Sequence, residues 1–116
     1  MTADELRAWC LSMPGAIEDF PFTPTTSVFK VAGRMFALTA LGEAPLRVSL
    51  KCEPALAASL RDSYRSIEPG YHLNKRHWLT ITLGGDADDG MVCDLVQDSY
   101  DLVRPRRPTR DPESPP

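Results

Sequence analysis

Glycine and proline breakers cut this chain at short intervals. They stand at Pro14-Gly15, Ala32-Gly33, Gly42 to Pro45, Pro69-Gly70, Gly84-Gly85 and Pro105. Glycine supplies positive φ and proline removes a backbone donor, so each position ends a regular element. The runs between them suit helices of a few turns or strands of five to eight residues. No apolar run approaches the roughly 20 residues that span a bilayer. The breakers therefore specify several short elements joined by tight turns within one domain.

Periodicity assigns the runs. Thr2 and Glu5 form a T-x-x-E capping box ahead of a helix from about Ala3 to Met13, with Leu6, Trp9, Cys10 and Met13 as its buried stripe. Pro21 and Pro24 flank Phe22 in a segment that reads as a rigid loop, pinned to the core by Phe20 and Phe22. Ser27 to Ala32 and Arg34 to Leu41 form a hairpin about Ala32-Gly33. Leu46 to Lys51 alternates strictly: Leu46, Val48 and Leu50 face the core, while Arg47, Ser49 and Lys51 make a wet, basic face. Pro54 opens a second helix that runs to about Tyr64. Tyr71 to Lys75 is an extended candidate, and Trp78 to Leu83 is a strand with Trp78 expected in the core. Asp86, Asp88 and Asp89 complement the dipole of a last helix over about Asp88 to Val103. Tight turns between strands imply an antiparallel β-sheet with helices packed on one face, an α+β fold. Residues 1–104 form the domain. Residues 105–116, PRRPTRDPESPP, read as an extended Pro/Arg-rich tail.

The net charge of −3 conceals an uneven distribution. Residues 1–19 set Arg7 against Asp4, Glu5, Glu18 and Asp19. Residues 86–116 set four arginines against eight acids. Between them, eight lysines and arginines face Glu43, Glu53, Asp62 and Glu68. A fold that gathers this middle segment onto one surface attracts polyanions despite the overall sign. The acidic, non-apolar N-terminus is no signal peptide, so a cytoplasmic, non-membrane protein is expected.

The blocks MPGAIEDFPF at 13–22, VFKVAGRMFAL at 28–38, LKCEP at 50–54, PGYHLNKRHWLTI at 69–81 and DSYDLV at 98–103 resemble, in order, those of the MmcQ/YjbR family. YHLNKRHW is the most specific. The resemblance implies a CyaY-like, double-wing fold related to frataxin, and a DNA-binding role by fold analogy. Lys30, Lys51, His72, Asn74, Lys75, His77 and Trp78 stand where the family shows those types. Arg34 takes a position often held by Lys, and Cys52-Glu53 replaces a common Cys-Asp pair.

Between His72 and Trp78 lie two fixed cations, two imidazoles, an amide and an indole, with no acid. Lys75 and Arg76 suit phosphates, together with Arg47 and Lys51 from the basic strand face. Asn74 and His77 are candidates for a base edge or sugar, and His72 belongs to the same block. In an extended segment Lys75 and Arg76 point to opposite faces, and Asn74 has the alternative of capping a turn. Catalytic motifs are missing: His72 and His77 are five apart, and no HExxH, G-x-S-x-G or P-loop occurs. Cys52 at a helix entry beside Lys51 suits a thiolate, but no base is placed for it. Cys10, Cys52 and Cys93 include no CxxC pair, and the acids show no EF-hand spacing, so no metal or cofactor is expected. The reading is a monomeric, non-enzymatic protein that binds double-stranded DNA. A protein-interaction or small-ligand module using the same block is the alternative.

Overall fold

A computed structural model describes residues 1–70 and 73–105. The elements in chain order are α1 (Ala3–Leu11), β1 (Ile17–Asp19), β2 (Thr26–Val31), β3 (Arg34–Ala40), β4 (Arg47–Lys51), α2 (Pro54–Ser63), β5 (Ile67–Pro69), β6 (Trp78–Thr82) and α3 (Asp89–Val103). The strands form one antiparallel sheet in the order β1-β2-β3-β4-β6-β5. The expected α+β class is the one observed. Among the described residues no helix is long and apolar enough to cross a membrane.

Several local expectations hold for physical reasons. Thr2 and Glu5 close the capping box at α1 in both directions. Ala32 and Gly33 both take positive φ, 51° and 78°, the backbone of a two-residue turn whose twist matches the strands it joins. Asp88 stands at the start of α3, as the dipole reading expects, and the structure adds that it caps the helix by accepting from the Met91 N–H at 2.8 Å.

Cross-strand register separates the two sheet faces. Val48 and Leu50 of β4 stand opposite Ile81 and Leu79 of β6, and all four are buried in the main core with Phe29, Phe36, Leu6, Val92 and Val96. The helices cover this face. Arg47, Ser49 and Lys51 stand opposite Thr82, Thr80 and Trp78 on the other face. The alternation expected for β4 is therefore correct, but the second face is not wet throughout. Ser49 and Thr80 are both 4% exposed.

The helical layer is keyed to the sheet through Ser99. Its buried hydroxyl donates to the Phe36 carbonyl at 2.5 Å and accepts from the Lys51 N–H at 2.9 Å. Phe36 lies where the β2–β3 register slips by one residue, so its carbonyl needs a partner outside the ladder. The Tyr100 ring then meets Phe36 edge-on at 5.4 Å.

Other expectations need correction. α1 ends at Leu11, and Trp9 is 36% exposed, its indole N–H donating to the Cys93 carbonyl at 3.1 Å. β1 and β5 fall where loop was expected. Each has three residues, too few to show a period-2 pattern. Pro69 is tolerated in β5 because β5 is an edge strand. Phe20 and Phe22 do not pin their loop to the core; they are 41% and 67% exposed. Trp78 is half-buried and lies on the helix-free face. Asp86 is not mainly a dipole partner: it accepts from the Arg65 and Ser66 N–H groups and the Ser66 hydroxyl, at 2.8, 3.0 and 2.6 Å. The expected tail beyond Pro105 lies outside the described residues.

Two outcomes follow from these contacts. Ser99→Ala leaves a buried carbonyl and a part-buried N–H without a partner. It should cost about 2–4 kcal/mol, at roughly 1–3 per unsatisfied group, and a thermal melt should show a fall on the order of 10 °C. The three donors, the Ser66 hydroxyl first, hold the Asp86 carboxyl down at about 2. A depressed acid stabilises fully above its unfolded value, near 4. That contribution is lost as pH falls from there through about 2. Melts of Asp86→Asn should therefore lack part of the parent's acid sensitivity in this window.

Candidate nucleic-acid interface

The helix-free face is bounded by two loops. One, residues 20–25 between β1 and β2, presents Phe22. The other runs from Gly70 to His77 between β5 and β6 and is described from Leu73 onward. Between them lies a cavity of about 410 Å³ walled by Phe22, Leu38, Ala40 and Leu73 over a floor that includes Ser49 and Thr80.

Residues 73–77 do not form the extended segment expected from sequence. Asn74 organises them as a turn: its Oδ1 accepts from the Arg76 N–H at 2.9 Å, and its carbonyl accepts from the N–H groups of His77 and Trp78 at 3.2 and 3.0 Å. Face alternation therefore does not apply to Lys75 and Arg76. Both are exposed on one short turn. The turn is tied down at its exit, where the Cys52 N–H donates to the His77 carbonyl at 2.7 Å. Gly70 anchors its entry by donating to the Trp78 carbonyl at 2.9 Å, with the chains packed so closely that a Cβ on Gly70 would stand 2.6 Å from that of Trp78.

Arg47 and Lys51 point from the same face of β4, about 13 Å apart at the usual rise of a strand. Arg47 is ion-paired with Glu43 at 3.3 Å. Lys30, on the same sheet face, pairs with Asp19 at 3.1 Å. Lys51, Lys75 and Arg76 have no acidic partner among the described residues. His77 is exposed beside Trp78, which stands opposite Lys51 across the strands. His72 lies outside the described residues. Sequence reasoning missed Phe22, Leu38 and Leu73. Only Phe22 carried a usable signal, an aromatic held between two prolines.

Charge is sorted by layer. The helix-free face and its loops carry Lys30, Arg47, Lys51, Lys75 and Arg76 against Asp19, Glu43 and Glu68. The helices carry Asp4, Glu5, Asp62, Asp89, Asp94, Asp98 and Asp101 against Arg7 and Arg61. The Arg7–Glu18 pair, at 2.8 Å, joins α1 to β1; its hydrogen bond is the main reason the Glu18 carboxyl titrates low.

The thiolate suggested at Cys52 is not favoured. Cys52 is buried, and desolvation first, then Asp98 and Glu53, pushes its thiol up. Burial likewise raises Cys10, to about 12. Among the described residues no group of three or more His, Cys, Asp or Glu is placed to hold a metal.

These features define an α+β domain with one helical layer, an open sheet face and a basic turn at its margin. The chain belongs to the YjbR family, whose model matches residues 11–102. It is 37% identical over 100 residues to the uncharacterized protein YjbR of Escherichia coli K12, covering 86% of this chain and 85% of that one. With the uncharacterized YbdF of E. coli O157:H7 it shares 34% over 93 residues, 80% of this chain and 76% of the relative. The crystal structure of Deinococcus radiodurans protein DR2400 superposes with a TM-score of 0.84 at 46% identity, covering 88% of this chain and 78% of the other. A Pseudomonas syringae protein gives 0.78 at 27% identity, covering 90% and 100%.

Gly70→Ala tests the seating of the turn. Its Cβ meets main-chain and Cβ atoms that cannot rotate away, so the variant should lose about 1–3 kcal/mol, as other overpacked sites do. The indole of Trp78 should become more exposed, read as a red shift in tryptophan emission.

Proposed function

We propose that this protein is a non-enzymatic DNA-binding module that meets the duplex with its helix-free sheet face. The observation that carries the reading is the sorting of charge. Three cations without an acidic partner among the described residues, Lys51, Lys75 and Arg76, lie along one margin of this face, while the helical layer behind it is acidic. A polyanion is attracted to one side and repelled from the other, which orients the encounter.

Lys51, Lys75 and Arg76 contact phosphates. Arg47 contributes less, because Glu43 already neutralises much of its charge. Asn74 has its acceptor committed to the turn, which leaves its amide N–H₂ to donate to a phosphate or base. His77, fixed through its own carbonyl, presents its ring at the same margin. Few base-directed groups and several phosphate-directed ones make the binding weak and largely independent of sequence.

The affinity for duplex DNA should be micromolar or weaker at physiological salt, the usual range of non-specific binding. Three phosphate contacts should give a log–log salt slope of roughly −3, at about −0.9 each. Arg106, Arg107 and Arg110 are a second source of positive charge, so the titration is repeated on a chain truncated after Arg104. Retained binding that Lys51→Ala with Lys75→Ala abolishes supports the folded face as the site. Loss on truncation alone assigns binding to the tail. No binding by either form at about 50 mM salt, where phosphate contacts are strong, rejects the DNA reading in favour of an interaction module.

A further inference from the structure

We propose that the cavity on the helix-free face is a binding site for a small aromatic anion, a planar ring bearing one carboxylate, sulfonate or phosphate group. Its volume of about 410 Å³ lies within the range of small-molecule pockets. Phe22, Leu38, Ala40 and Leu73 give it apolar walls. The floor hydroxyls are already satisfied: Ser49 and Thr80 bond each other at 2.9 Å, and Thr26 accepts from the Thr23 hydroxyl at 2.7 Å. An apolar ring therefore enters without leaving these groups unpaired. Phe22, 67% exposed, stands at the wall with much of its aromatic ring open to solvent.

Charge complementarity supplies the anion. Ser49 in the floor is flanked two residues away, on the same face, by Arg47 and Lys51. Leu73 in the wall leads into the turn of Lys75 and Arg76. Glu43, the carboxylate at the rim, is engaged by Arg47. A ligand with its ring in the cavity places its acidic group toward a positive margin.

The site does not depend on DNA binding, and one set of variants separates them. The full chain is titrated with anilinonaphthalene sulfonate, followed by fluorescence at low salt, and with uncharged anilinonaphthalene. One-to-one binding is expected, with the sulfonate preferred over the neutral dye by about fivefold or more. Phe22→Ala removes a wall at an exposed position, and Ala40→Phe fills the cavity. Each should weaken the sulfonate by about tenfold, with folding checked by circular dichroism. Lys51→Gln with Lys75→Gln should bring the two dyes close to equal affinity. Both cavity variants keep every cation, so duplex DNA binding should be unchanged in them. No dye binding by the parent, equal affinity of the parent for both dyes, or full affinity in folded Phe22→Ala would overturn the proposal. If Ala40→Phe fails to fold, Phe22→Ala decides the cavity's role.

Discussion

The hydroxyl of Ser99 holds two layers in one register. It donates to the carbonyl freed by the irregularity at Phe36 and accepts from the N–H that ends β4 at Lys51. α3 is thereby fixed over β3 and β4, with Tyr100 against Phe36 and Val92 and Val96 in the same core. Every other helix joins it on that side. A sheet covered on one face leaves the other to be finished by loops, and that second face holds the candidate site.

Loop construction gives that face its character. Phe22 of the 20–25 loop and Leu73 ahead of the turn wall a cavity whose floor includes Ser49 and Thr80. The turn is rigid for local reasons: Asn74 accepts three backbone N–H groups through its side chain and carbonyl, and Gly70 lets β5 and β6 approach closely at its base. Lys75 and Arg76 are consequently presented from a fixed frame, which reduces the ordering cost of meeting a ligand. The helices carry seven acids against two arginines, and charges exposed on their outer side are screened from this margin over about 10 Å at moderate salt.

The sequence made some of this legible and hid the rest for identifiable reasons. The capping box at Thr2 and Glu5, the Ala32-Gly33 turn and the alternation of Arg47, Ser49 and Lys51 are local signals, and the structure shows each. β1 and β5 are fixed by pairing with the next strand across a loop rather than by periodicity, and three residues each are too few to show a pattern. Trp78 starts a strand beside an alternating apolar run, which points to the core; register with Lys51 instead places it on the other face. Ser49 and Thr80 are buried and bonded to each other across β4 and β6, a pairing of residues far apart in sequence that no local pattern shows. Asp86 resembled its neighbours as a helix-dipole residue, and only the proximity of Arg65 and Ser66 reveals its role. Arg47 and Lys51 were placed together correctly, but the Glu43 carboxylate that tempers Arg47 lies across a turn whose shape was not predicted.

The account's central claim is that the helix-free face is where this protein meets its ligand. Amide chemical-shift mapping during titration with a short DNA duplex tests it most directly. The account predicts that perturbations concentrate on Lys51, Lys75 to Trp78 and Thr80, while α1 and the outer side of α3 stay unshifted. Shifts centred on the helical layer, or confined to residues beyond Arg104, would contradict it.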